Sequence, residues 1–160
     1  MAGMMTGRVT GRTADLISLI QRVSEASVTV DGEVAGRIGR GLLVLLAVEP
    51  DDGPATISRM ADRVLTYRVF PDAGDRMNRS LLDEGLELLV VPQFTLAADT
   101  KKGTRASFTR AAPPEKAKEY FERFVAECEK RLPRVATGIF GADMKVALVN
   151  DGPVTFWLQA

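Results

Sequence analysis

Gly152-Pro153 lies between two runs that both read as β-strand. Residues 145–149 alternate charged and apolar, and residues 154–158 are β-branched and aromatic. Proline has no N–H for a sheet ladder, and glycine weakens a strand. A Gly-Pro in that setting bends the chain, ends its pairing, or is itself the working part. The plain reading is a turn between two strands. The functional reading is a backbone device that presents its carbonyls to a ligand.

Composition limits what such a device could serve. At 160 residues, 46% of them hydrophobic, the chain is one domain with room for a core. Lys and Arg total 21 against 21 Asp and Glu, so no global basic field draws nucleic acid and any RNA contact must be local. The absence of histidine excludes Ser-His and Cys-His pairs and the usual zinc ligand sets. The single cysteine, Cys128, excludes an intrachain disulfide. It falls on the apolar stripe of a helix and has no basic partner, so it reads as a small core residue rather than a nucleophile. No apolar run approaches the roughly 20 residues needed to span a bilayer. No membrane, metal or cofactor is therefore expected, and the cytoplasm is the expected location. Residues 1–15 are acid-poor and lack strand or helix period. They read as a disordered extension, a cloning remnant or an over-called start, ahead of a targeting peptide.

Strands are expected at residues 16–23, at 26–31 with a hairpin turn at Asp31-Gly32, and at 33–38. The unbroken apolar run 42–48 suits a buried central strand. Gly36, Gly39 and Gly41 have the wrong order for a dinucleotide loop and precede a strand, so phosphate binding is set aside. A helix is expected from Pro54 to about residue 67, with Ile57, Met60, Ala61, Val64 and Leu65 on one face. Residues 71–85 read as turn-rich, 86–91 as a strand, 98–114 as a long loop, and 113–132 as a second helix. Strands at 135–140, 144–149 and 154–158 close the chain. The order gives an α+β fold with mixed sheets and two main helices.

Three stretches could carry chemistry. In residues 90–96, VVPQFTL, a strand ends in polar residues, with Gln93 and Thr95 on one side of an extended chain and Phe94 on the other. An amide, a hydroxyl and free backbone N–H groups there suit an oxyanion or a base, although threonine without a base is a poor nucleophile. Residues 98–110 carry Lys101, Lys102, Arg105 and Arg110 with Phe108, which suits phosphates and a stacked base. Residues 141–155 offer Asp143, Asn150 and Asp151 without an assignable acid–base pair. Each stretch alone is also compatible with an ordinary strand end or surface loop.

Taken in order, these stretches resemble the D-aminoacyl-tRNA deacylase family. The resemblance includes LIQRV at 19–23, ASVTVDGEV at 26–34, GLLVLL at 41–46 and QFTL at 93–96. It continues through ADTKKG at 98–103, SFTRAAPPE at 107–115 and FGADMKVALVNDGPVT at 140–155. It implies a single deacylase domain over residues 16–160, a barrel-like α+β fold, a homodimer with its active site at the subunit interface, and no catalytic metal. The implied activity is hydrolysis of the ester joining a D-amino acid, or glycine mischarged on alanine tRNA, to the terminal ribose. The family's Ser-Gln-Phe-Thr motif is matched by Pro92, Gln93, Phe94 and Thr95. Its Gly-cis-Pro is matched by Gly152 and Pro153, which the resemblance sends into the partner's active site to reject L-amino acids, with Arg22 holding the motif.

The resemblance gives Pro92, Phe94, Phe140 and Met144 to substrate binding, and Lys101, Lys102 and Arg105 are candidates for tRNA contact. Two accounts of catalysis stay open, Thr95 as nucleophile or the substrate's own ribose 2′-OH. Without histidine the second is preferred, with Thr95 and Gln93 in positioning and oxyanion roles. Two departures stand out: Pro92 replaces the usual serine, and Ala106 replaces a common proline. Pro92 keeps a relaxed-specificity deacylase as an alternative, beside a non-catalytic RNA-binding dimer.

Overall fold

In the computed structural model of the protein, residues 16–160 are described; the expected N-terminal extension, residues 1–15, lies outside them. The strands are β1 (Ile17–Val30), β2 (Glu33–Ile38), β3 (Gly41–Ala47), β4 (Phe70–Pro71), β5 (Met77–Arg79), β6 (Glu87–Pro92), β7 (Val135–Thr137) and β8 (Lys145–Gln159). The helices are α1 (Pro54–Thr66), α2 (Leu81–Glu84) and α3 (Pro114–Glu129), with a 3-10 turn at Phe94–Ala97. The fold is α+β, as expected, and the described residues add a short third helix to the two main ones.

β1 organises the sheet. Its first half pairs with β3 and its second half with β2, while β8 runs antiparallel along its other edge. β3, β6 and β7 continue the sheet in parallel. β2 then folds back against β7, bringing the Gly36 backbone against Thr137 and nearly closing a barrel. One continuous β1 replaces the two strands expected over residues 16–31. Asp31 and Gly32 both have positive φ, 50° and 80°, as a two-residue hairpin turn requires.

β3 is apolar throughout because both of its faces are covered. Leu42, Val44 and Leu46 join Leu88 and Val90 under α1 and α3, whereas Leu43 packs with Leu89, Val91 and Val23 inside the barrel. The α1 stripe Ile57, Met60, Ala61, Val64 and Leu65 is buried as its spacing predicts. Gly41 also has a structural reason. A Cβ there would lie 1.9 Å from the Glu87 carbonyl oxygen, so the glycine permits the parallel β3–β6 pairing.

Other boundaries move. The turn-rich segment contains the small β4–β5 hairpin and α2, which Ser80 and Asp83 cap reciprocally. β7 stops at Thr137, so residues 138–140 leave the sheet. Most consequentially, Gly152-Pro153 does not separate two strands. Pairing of β8 with β1 runs to Val23↔Asn150 and resumes at Gln21↔Thr155. Residues 151–154 therefore face only Arg22, and the surplus chain stands out as a bulge within one strand.

Cys128 on α3 is buried, and burial pushes its thiol up to about 12. It stays protonated at neutral pH and is unsuited to nucleophilic work. Iodoacetamide should spare it in the folded protein and alkylate it in denaturant. Rapid alkylation of the native chain, followed by mass spectrometry, would show that α3 is not packed as described.

Candidate active site

β6 ends where its parallel register with β3 reaches Leu46↔Pro92. The Gln93 N–H donates to the Leu46 carbonyl at 2.8 Å. The chain then winds into the 3-10 turn Phe94–Ala97 instead of staying extended. This corrects the expected alternation of Gln93 and Thr95 against Phe94. The pair still meets, because the Gln93 amide Nε2 donates to the Thr95 hydroxyl. The first N–H groups of a helical turn have no partner inside it. Here those groups are at Phe94 and Thr95.

Beside this turn lies a cavity of about 490 Å³. Pro92, Gln93 and Phe94 line one part of it, and Phe140, Gly141, Ala142, Asp143, Met144 and Val146 another. Ala112, just before α3, and Pro114 and Ala117, from its first residues, complete the wall with Val91. The Phe140 ring packs 6.5 Å from that of Phe121. Met144, which the resemblance gives to substrate binding, is half-buried and lines the cavity. Asp143 is the one ionisable side chain in the lining, and Lys145 pairs with it at 2.9 Å. Among the described residues, no cluster of His, Cys, Asp or Glu could hold a metal ion. Sequence reading missed Ala112 and Ala117, whose only signal was small size around the start of α3.

The basic loop follows the 3-10 turn along the chain and leads on to Ala112 of this wall. Asp99 and Ser107 exchange backbone hydrogen bonds of 2.7 and 2.9 Å, closing residues 100–106 into a loop. Lys101, Lys102 and Arg105 are exposed, and no hydrogen bond or ion pair of the described residues uses their side chains. Arg110 is different, since it pairs with the buried carboxylate of Glu49 at 3.3 Å.

Gly152, Pro153 and Arg22 are not brought to this cavity within the chain. Val146 lines it, but Gly152 lies farther along the same strand, about 20 Å at the usual rise of a β-strand. The Gly152–Pro153 peptide bond is cis, and both residues are exposed. Arg22 holds the base of the bulge: its Nε donates to the Asp151 carbonyl at 2.9 Å and its Nη1 to the Val69 carbonyl at 2.6 Å. Asn150 braces the other side, accepting from the Val154 N–H at 2.7 Å and donating to the Thr155 hydroxyl at 2.8 Å.

The family described as D-Tyr-tRNA(Tyr) deacylase matches residues 19–159, from the first strand to the last. The chain belongs to this family. Among similar deacylases, the D-aminoacyl-tRNA deacylase of Haemophilus influenzae (strain PittGG) is 55% identical over 144 residues, 90% of this chain and 99% of that protein. The D-aminoacyl-tRNA deacylase of Vibrio cholerae serotype O1 (strain ATCC 39541) is 58% identical over 145 residues, 91% and 100% of the two chains.

Two solved structures share the deacylase fold. One is described as c-Myc DNA Unwinding Element Binding Protein, with TM-score 0.86, 38% identity, and coverage of 90% of this chain and 98% of that one. The other is described as a probable eukaryotic D-amino acid tRNA deacylase, with TM-score 0.79 and coverage of 91% and 100%. At 18% identity the second is a likeness of fold alone. No helix among the described residues is long and apolar enough to cross a membrane.

Proposed function

We propose that the cavity takes the esterified 3′ end of a D-aminoacyl-tRNA and that its hydrolysis there releases D-amino acid and tRNA. Membership of the deacylase family supports the reaction class. The observation that carries the site is the meeting of the Pro92-Gln93-Phe94 and Phe140-to-Met144 segments around one cavity. The cavity is mostly apolar, which suits a ribose-linked aminoacyl group, and its few polar groups suit orientation.

The one carboxylate in the lining, Asp143, is held by Lys145 at 2.9 Å, so the substrate is taken to supply the proton path. Water adds to the ester carbonyl, and the negative charge gathers on the carbonyl oxygen. The N–H groups of Phe94 and Thr95, without a partner inside the 3-10 turn, are assigned to receive that charge, although only Phe94 of the two lines the cavity. The ribose 2′-OH relays the water's proton to the departing 3′-oxygen, leaving an acid and a free 3′-OH. Thr95 and Gln93 position the turn. Thr95→Ala should then lower kcat only about fivefold, the scale of one hydrogen bond. Loss of all turnover in a folded Thr95→Ala protein, together with an acyl group trapped on wild-type Thr95, would contradict this.

Chiral selection belongs to the bulge. Residues 151–154 lie outside the ladder, and the exposed Gly152 and Pro153 would offer their carbonyls to the substrate ammonium. Such a wall can collide with an L side chain while admitting a D side chain directed elsewhere. Glycine has nothing to exclude, so glycine mischarged on alanine tRNA passes. The distance along β8 argues against a chain gating its own cavity. A homodimer answers this, with each bulge entering the partner's cavity. β8 pairs only with β1 among the described residues and exposes Val149 and Trp157, a surface suited to a second copy. Lys101, Lys102 and Arg105 would meet tRNA phosphates, and the cytoplasm, where tRNA is charged, is the expected place of work.

Pro92 supports a second reading. It lines the cavity where the resemblance expects serine, and it brings neither hydroxyl nor N–H. A relaxed-specificity deacylase would follow. Comparing D-tyrosyl-, L-tyrosyl- and glycyl-tRNA hydrolysis separates the readings: D-selective release supports the chiral gate, while comparable D and L rates support relaxed specificity. Absence of turnover with all three would overturn both and favour a non-catalytic RNA-binding dimer.

A further inference from the structure

We infer that Phe94 and Phe108 form a stacking platform for an unpaired base, the one on the 5′ side of the nucleotide that carries the ester; this rests on the deacylase reading of the cavity. Both rings are unusually open, Phe94 at 57% and Phe108 at 47% exposure. Their centroids are 5.3 Å apart and their planes tilt by 52°. Phe94 lines the cavity and Phe108 does not, so the pair carries aromatic surface from the cavity rim outward. The next base along a bound strand leaves the cavity at that rim.

Charge marks the occupant as nucleic acid. Phe108 follows Ser107, whose pairing with Asp99 closes the loop bearing Lys101, Lys102 and Arg105. Three exposed cations without a side-chain partner among the described residues, on the loop that ends next to Phe108, together with an open aromatic pair match a phosphodiester with a stacked base. An apolar protein partner would use the rings and leave the cations idle. A duplex keeps its bases stacked inside, so the segment must be single-stranded.

The platform is also held in advance. The Phe108 carbonyl accepts from the Ala111 N–H at 3.1 Å, and the Ala112 N–H donates to Val48 at 3.0 Å. Little loop ordering is left for binding.

The test compares two substrates and one probe. In the full-length protein, Phe108→Ala should raise KM for D-tyrosyl-tRNA about tenfold, the scale of one lost base stack. KM for the 3′-D-tyrosyl ester of adenosine should change by less than about twofold, since that substrate lacks the 5′ base. Phe108→Trp should restore KM for the tRNA. A 5′-fluorescein-labelled CCA trinucleotide, followed by anisotropy, should lose affinity for Phe108→Ala in parallel. Equal losses on both substrates, or no loss on either, would overturn the platform. If wild type hydrolyses neither ester, the deacylase reading falls by itself. The trinucleotide then still decides the platform, which is overturned if Phe108→Ala binds it as tightly as wild type.

Discussion

Gly152→Ala is expected to lower kcat/KM for a D-aminoacyl-tRNA about a hundredfold in a protein that still folds, the scale of a misplacement of roughly 1 Å. Gly152 has φ +143°, which L side chains rarely adopt. An added Cβ would lie 2.7 Å from the Val154 Cγ2, 3.1 Å from the Val154 backbone nitrogen and 3.2 Å from the Arg22 guanidinium. Relief of those contacts must shift the bulge, because the Val154 N–H is bonded to Asn150 and the guanidinium to two carbonyls. The residue is exposed and outside the hydrophobic clusters, so the melting temperature should move by only a few degrees, as the cost of a strained φ suggests. Steady-state kinetics with a thermal melt on the same sample checks both halves. Unchanged activity would remove the bulge from the mechanism.

Arg22→Ala is the second large effect, and it acts through the bulge. The guanidinium spans from the Asp151 carbonyl to the Val69 carbonyl with its side chain only 14% exposed. The Asp151 carboxylate, at 3.9 Å, adds a looser charge contact. Removal leaves two carbonyls without their donor and frees the root of the bulge. Hydrogen bonds from a charged donor typically contribute about 1.5–3 kcal/mol, so a stability loss of about 2 kcal/mol is expected. A merely structural role would end there. A positioning role also lowers the ratio of D- to L-tyrosyl-tRNA hydrolysis, by about tenfold on the same energy scale. Arg22→Lys should not rescue the ratio, since one ammonium cannot reproduce the planar fork that reaches both carbonyls.

Much of this chain was legible wherever one local pattern decides the outcome. The two-sided burial of β3 appears as an unbroken apolar run, and the α1 stripe as helical spacing. Gly41 shows the limit. Its need arises from Glu87 on a strand far along the chain, so once phosphate binding was set aside nothing local explained the glycine. The bulge is a sharper case. Whether Gly152-Pro153 turns the chain or protrudes from one strand depends on how residues 151–154 count against Arg22, a register set across β1 and β8.

The Gln93–Thr95 segment failed for a related reason. Its residues suit an extended chain, but β3 ends beside it, and with no partner strand to follow the backbone coils. The cavity was legible only through resemblance, because it is built from three distant segments, and the small residues of α3 carry no chemical signature.

The claim that each bulge serves the other subunit has a direct test. One chain carries Ala112→Trp, which fills the cavity, and another carries Gly152→Ala, which damages the bulge. Distinct tags on coexpressed chains allow the mixed dimer to be purified away from both parents. If the bulge acts in the partner's cavity, the mixed dimer holds one intact site of two and should recover about half of wild-type D-tyrosyl-tRNA hydrolysis. If each chain gates itself, the mixed dimer holds no intact site, and activity no higher than that of the parents would contradict the account.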